Sequence, residues 1–243
     1  MPEKNSASVP DIIALLRQHK ASPEDLAGMA RFGINTENAF GVSIPTLRRI
    51  AKDIGRDHAL ALGLWETGIH DARLLACFID EPELVTAAQM DAWVKGFDSW
   101  DLCDQCCSNL FDKTKYAGKK ILEWAEDDRE FVRRAGFVLM ACIAVHDKDA
   151  GDGTFLAFLP LIKKASTDRR NYVKKAVNWA LRQIGKRNLS LNKAAVDTAN
   201  EILKIDSKAA KWIASDAIRE LEGPVLLKRL IGKNSKKNPS RLK

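Results

Sequence analysis

The sequence predicts an all-α protein, a right-handed solenoid of stacked helical repeats with a basic concave face. Three observations predict it. Apolar residues recur at the spacing of one helix face along most of the 243-residue chain. Convincing strand alternation is absent. One five-residue pattern, beginning at Phe131, returns at Tyr172, 41 residues later.

The elements follow in order. Ile44, Leu47, Ile50, Ala51 and Ile54 mark one helix face, with Arg48, Arg49 and Lys52 on the other. Similar patterns predict helices over 58–65, 84–94, 101–111, 118–125, 130–145, 155–164, 172–185, 192–204, 208–221 and 224–231. Short breaks separate them at Gly33, Gly41, Gly55, Gly68, Pro82, Gly96, Gly118, Gly151 with Gly153, and Gly223. Pro45 and Pro224 suit a first helical turn, where a missing N–H costs nothing.

The repeat sets the architecture. Phe131-Val132-Arg133-Arg134-Ala135 is echoed by Tyr172-Val173-Lys174-Lys175-Ala176, and more faintly by Ile213-Ala214-Ser215-Asp216-Ala217. Leu139, Ala180 and Leu221 keep the phase, four residues after each small Ala. A period of this size with helical texture is the HEAT/armadillo pattern, in which each helix pair buries its apolar face only against its neighbours. The stacked basic pairs then form a stripe.

Charge supports a polyanion partner. Residues 1–120 hold 14 Lys and Arg against 17 Asp and Glu, a balance of −3, and residues 121–243 carry +10, for a net of +7. Lys233, Lys236, Lys237, Arg241 and Lys243 meet no acid, so we expect residues 1–232 to form a single repeat domain and 233–243 a flexible basic tail. A solubilising charge excess is the competing explanation. No apolar run approaches a membrane span, and the polar N-terminus is unlike a secretion signal. The expected location is therefore cytoplasmic, beside the nucleoid, with the five cysteines reduced and packed as small core residues. No metal site is expected: Cys103, Cys106 and Cys107 lack a second ligand pair, and the four histidines are scattered.

Three segments carry candidate chemistry. In Asp98-Ser99-Trp100-Asp101-Leu102-Cys103-Asp104, Asp98 or Ser99 stands where an N-cap is expected, and acids in the first turns suit the helix dipole. That segment reads either as helix initiation with a packing Trp or as a site. Arg133 and Arg134 read either as a solvated pair or as phosphate contacts. Trp179 reads either as core or as a stacking surface for a base or sugar. Glycine-rich phosphate loops, nucleophile elbows and H-E-x-x-H motifs are absent.

Taken in register, these residues resemble the AlkD-like family of DNA alkylation repair glycosylases, from about Met29 to Leu221. Met29-Ala30-Arg31-Phe32, Phe40-Gly41-Val42 and Pro45-x-x-Arg48 are similar to the family's N-terminal repeat. Ser99-Trp100-Asp101-x-x-Asp104 resembles its W-D-x-x-D segment. Trp124, then Arg134-Ala135, then Tyr172-x-x-Lys175-Ala176-x-x-Trp179-x-Leu181-Arg182 complete the pattern.

The resemblance implies excision of cationic N3- and N7-alkylated purines from double-stranded DNA by a monomer, without a metal or organic cofactor. Carried over by position, Asp104 is the catalytic carboxylate, with Trp100 and Trp179 against the lesion-bearing sugar and backbone. Arg134 holds phosphate, with Arg133, Lys174, Lys175, Arg182 and Arg48 as further DNA contacts and Phe32 facing the lesion region. One departure stands out: the family's pattern has two adjacent tryptophans where this chain has Ser99-Trp100. The alternative function is a noncatalytic repeat protein of the same family that binds DNA.

Overall fold

Helix starts are written into the local sequence. In the computed structural model, which describes residues 7–237, seven helices begin on a side chain that accepts a backbone N–H of the first turn. They are α1 (Val9–Gln18, capped by Ser8), α2 (Pro23–Arg31, Ser22), α3 (Ile44–Ile54, Ser43) and α4 (His58–Glu66, Asp57). The others are α6 (Ala87–Lys95, Thr86), α12 (Leu189–Leu203, Asn188) and α13 (Lys208–Leu221, Ser207). Between them lie α5 (His70–Ile79), α7 (Trp100–Asn109), a 3-10 turn at Phe111–Lys113, α8 (Ala117–Trp124), α9 (Glu130–His146), α10 (Asp152–Ala165) and α11 (Asn171–Gly185). The last helix is α14 (Pro224–Lys237). No strand occurs among the described residues, as expected. None of these helices is long and apolar enough to cross a membrane.

The chain divides into two compact units, Met1–Ala117 and Gly118–Lys243. In the first, α5 is the central helix and packs against α1, α3, α4 and α7. Eight of its ten residues are buried, among them Leu74, Leu75 and Ile79. Trp65 and Trp93 stack at 4.1 Å and 3°, and Phe97 and Phe111 close the cluster around them. Asp71, buried on α5, accepts the backbone N–H groups of Phe40, Gly41 and Val42 at 2.6, 3.3 and 2.6 Å. Gly41 has φ +78, and an added Cβ would lie 2.7 Å from Ala21 Cβ, so that loop requires glycine.

The second unit carries the repeat. α9, α11 and α13 pack side by side, and α10 and α12 lie against them. Ala135, Ala176 and Ala217, one period apart, are fully or almost fully buried, as are Leu139, Ala180 and Leu221. The small residues at the phase positions let the helices approach, as the 41-residue register predicts. A second repeated device precedes α9 and α11. Asp127 accepts both the backbone N–H and the guanidinium of Arg129, and Asp168 does the same for Arg170. Each Asp-x-Arg loop turns the chain into its helix where a side-chain N-cap is missing. Arg170 also donates to the Asp128 carbonyl of the preceding repeat.

Three helices fall outside the sequence expectation: α1, α2 and α5. α5 opens with His70, Asp71 and Arg73, and it buries the first two where a surface stripe would place its polar residues. At the other end, α14 continues to Lys237, into the segment expected to begin the flexible tail; residues 238–243 lie outside those described. All five cysteines are buried, as expected of small core residues.

Candidate nucleic-acid interface

In the first unit, α7 presents the candidate residues, and its start is held by buried polar groups. Ser99, the N-cap residue, makes no cap bond; its buried hydroxyl donates to Asp101 Oδ1 at 2.7 Å. The other carboxylate oxygen of Asp101 lies 2.9 Å from His70 Nε2, on the first residue of α5. Burial by itself pushes the imidazole towards its neutral form. The hydrogen bond and charge of Asp101, with the charges of Asp71 and Asp98, outweigh burial and leave the His70 pKa raised. Burial likewise raises Asp101, but His70 and the Ser99 hydroxyl prevail and hold its pKa below the ordinary value. The first turn of α7 thus rests on the His70–Asp101 pair, in which the imidazole is buried and neighbouring carboxylates favour its protonated form.

Trp100 is the first residue of α7 and is half-buried. Its indole N–H donates to the carbonyl of Phe32, the residue that ends α2, at 2.9 Å. Asn35 in the same loop donates to Asp98 at 2.8 Å. The loop after α2 is therefore stitched to the start of α7. The Phe32 ring itself is 77% exposed. Asp104, half-buried, is four residues beyond Trp100 and so lies on the same helix face. Arg48, exposed on α3, shares Nη2 between Gln105 Oε1 and Asn109 Oδ1, at 3.2 and 3.3 Å, towards the other end of α7.

In the second unit the candidate cations sit in different settings. Arg134 on α9 is 5% exposed and donates Nη1 to the Tyr172 carbonyl at 2.7 Å, joining α9 to α11. Beside it, the Phe131 and Tyr172 rings stack at 5.4 Å. Arg133 donates to the Ala125 carbonyl at 3.1 Å and faces Asp168 at 3.4 Å. On α11 the Lys174 ammonium lies 4.7 Å from the centre of the Trp212 ring. Lys175 is exposed, Trp179 half-buried, and Arg182 is paired with Glu220 at 2.5 Å. Lys175, Trp179 and Arg182 follow one another at i, i+4 and i+7 and share a face. Burial pushes the Glu220 carboxyl up, but Lys186 and Arg182 overcome it and hold the pKa below its usual value.

So the first unit brings Trp100, Phe32 and Asp104 to the start of α7, and the second places Trp179 beside Lys175 and Arg182 on α11. Sequence reasoning missed His70 and the structural use of Ser99 and Asp101. Asp101 was visible inside the W-D-x-x-D segment, but its partner lies 31 residues earlier, and no local pattern joins them.

Comparison with known proteins bears on the family and the fold. The family model described as "DNA alkylation repair enzyme" matches residues 12–221. No curated protein matches. A similar solved structure is described as "A new family of proteins related to the HEAT-like repeat DNA glycosylases with affinity for branched DNA structures". It is 21% identical, with a TM-score of 0.73 over 88% of this chain and 95% of that one, a likeness of fold. The HEAT-like repeat architecture inferred from the 41-residue period is the fold found.

Proposed function

This chain belongs to the DNA alkylation repair enzyme family, and on that premise we propose that it is a DNA glycosylase releasing cationic N3- or N7-alkylated purines from duplex DNA. The observation that carries the reading is α7, where Trp100, fixed to the Phe32 carbonyl, and Asp104 share one face one turn apart.

The chemistry suits these groups. An alkylated purine already bears positive charge, so it leaves without protonation. The bond from the sugar C1′ to the base nitrogen breaks, its electron pair neutralises the purine, and an oxocarbenium ion remains. The Asp104 carboxylate opposes that charge and takes the proton of the water that adds to C1′. The Trp100 ring face lies along the sugar and stabilises the same cation, and Trp179 on α11 offers a ring face for the DNA backbone. Every one of these groups belongs to the chain.

Release of methylated purine from alkylated duplex DNA tests the proposal. Wild type releases base, and Asp104→Asn slows release by about 10²–10³-fold, the usual cost of losing one preorganised electrostatic group. No release by wild type, or full activity in the variant, defeats it.

A second reading is favoured by one observation, Ser99 where the family pattern carries a second tryptophan. In that reading the protein binds DNA and releases no base. The solved neighbour described as having affinity for branched DNA structures gives the probe. Salt-dependent binding of a branched junction without base loss supports this second reading.

A further inference from the structure

The charge balance of the chain points to its C-terminal half, but there several of the cations meet acids. Lys163 pairs with Glu201, Lys164 with Glu126, Arg170 with Asp168, and Arg182 and Lys186 with Glu220. In the acidic first unit the opposite holds at one place. An open groove of about 390 Å³ is lined by Arg48, Lys52, Arg56 and Lys113, with Asn109 and Phe78, and by no carboxylate. None of the four cations enters a salt bridge among the described residues.

Two of them are preorganised. Arg48 commits only Nη2, to Gln105 and Asn109, and its guanidinium sits 4.8 Å from the centre of the Phe78 ring. Arg56 commits only Nη1, to the carbonyls of Phe78 and Asp80. Their other N–H groups remain for a ligand. Lys113 reaches the Asn109 carbonyl at 2.8 Å, and Lys52 is exposed on the last turn of α3.

A structural explanation accounts for part of this charge. The groove lies where α3, α5 and α7 end, and a helix C-terminus carries about −0.5 of a charge, so three of them offset roughly 1.5. Four cations exceed that by about 2.5 charges. The excess has no ion-pair partner among the described residues.

We propose that this groove is a phosphate-backbone site for duplex DNA, an extension of the interface at the start of α7. The inference rests on the DNA reading above. Asn109 and Trp100 stand at opposite ends of α7, about 13.5 Å apart along the helix at 1.5 Å per residue. At 3.4 Å per base pair that is at most about four steps, so one duplex can touch both. Cations spread over three elements and open to solvent suit a run of backbone phosphates better than one small anion.

The test uses the full chain and undamaged duplex DNA, with affinity measured against salt. In the double variant Lys52→Gln/Lys113→Gln, both exposed side chains are altered and thermal unfolding checks the fold. Each lost phosphate contact flattens the slope of log affinity against log salt by about 0.9, so the expected change is about 1.8. Between 50 and 200 mM salt the variant then loses about twelvefold less affinity than wild type. The control double Lys193→Gln/Lys211→Gln removes cations paired with Asp197 and Asp206, and its slope stays at the wild-type value.

An unchanged slope in the groove variant, equal changes in both doubles, or no duplex binding by wild type overturns the proposal. So does saturable binding of inorganic phosphate that requires Lys52 and Lys113 while the duplex slope stays fixed. Base release is read separately on alkylated duplex with protein in excess. A flattened slope with no base release by wild type sinks the glycosylase and leaves the groove standing.

Discussion

His70 Nε2 and Asp101 Oδ2 stand 2.9 Å apart and tie α5 to the first turn of α7, the helix that carries Trp100 and Asp104. The two charges are buried together, and removing one strands the other. Breaking such a pair costs about 3–5 kcal/mol. We therefore expect His70→Ala to be strongly destabilised in urea unfolding.

The same pair gives stability a pH signature. The folded pKa of His70 is raised, so its contribution is complete below the unfolded value near 6.5 and fades as pH climbs through the folded value. Asp101 is depressed when folded, so its contribution is present above about 3.9 and fades as pH falls through the folded value. The pair therefore stabilises most between about pH 4 and 6.5. Wild type should lose urea stability from pH 6 to pH 9, and His70→Asn should lose less over that range. Parallel curves for the two proteins would show that His70 carries no charge-linked stability.

Trp100→Phe keeps a ring and removes the indole N–H that reaches Phe32. A hydrogen bond of this kind contributes about 1 kcal/mol net. The variant should unfold about 1 kcal/mol more easily. If that bond also aims the ring, base release should slow about fivefold or more with little change in duplex affinity. An unchanged release rate would leave the bond a purely structural role.

How much of this was legible in the sequence depends on distance along the chain. The repeat was legible because Ala135, Ala176 and Ala217 are burial positions fixed by one period, and a period survives in one dimension. α5 was not, because His70, Asp71 and Arg73 crowd its first turn, and the first two are buried through partners far away in the chain. The C-terminal charge surplus shows only part of its pairing in one dimension, for a related reason. Lys163–Glu201, Lys164–Glu126 and Arg182–Glu220 each join residues 38 apart, so neutralisation happens between repeats and does not show in a local count. Trp100 and Asp104 were legible as one turn of one helix. The His70–Asp101 pair belongs to two helices and needed coordinates.

Asp71→Ala should be among the most damaging changes in the first unit. Three backbone N–H groups, of Phe40, Gly41 and Val42, lose their acceptor together, and two of those bonds are 2.6 Å long. Unsatisfied buried donors cost about 1–3 kcal/mol each, so a loss of roughly 3–5 kcal/mol is expected after local rearrangement. Asp71 also helps hold the His70 proton, so its effect and that of His70→Ala should combine with less than full additivity. Additive losses in the double variant would show that the loop bonds act independently of the buried pair.

Gly136→Ala tests the close approach on which the second unit depends. A Cβ at Gly136 would meet the backbone nitrogen of Ala125 at 2.6 Å and its Cα at 3.0 Å, where the end of α8 crosses α9. The obstacle is backbone, which cannot rotate aside as a side chain would. In a solvated helix, Gly to Ala stabilises by up to about 1 kcal/mol. Here overpacking should outweigh that gain and leave a net loss of about 1–3 kcal/mol, read from the urea midpoint at constant m-value. Gly118, with no atom near an added Cβ, is the matched control at the start of α8. Gly118→Ala should be neutral to stabilising, and equal behaviour of the two variants would mean that α8 and α9 are not in the close contact described.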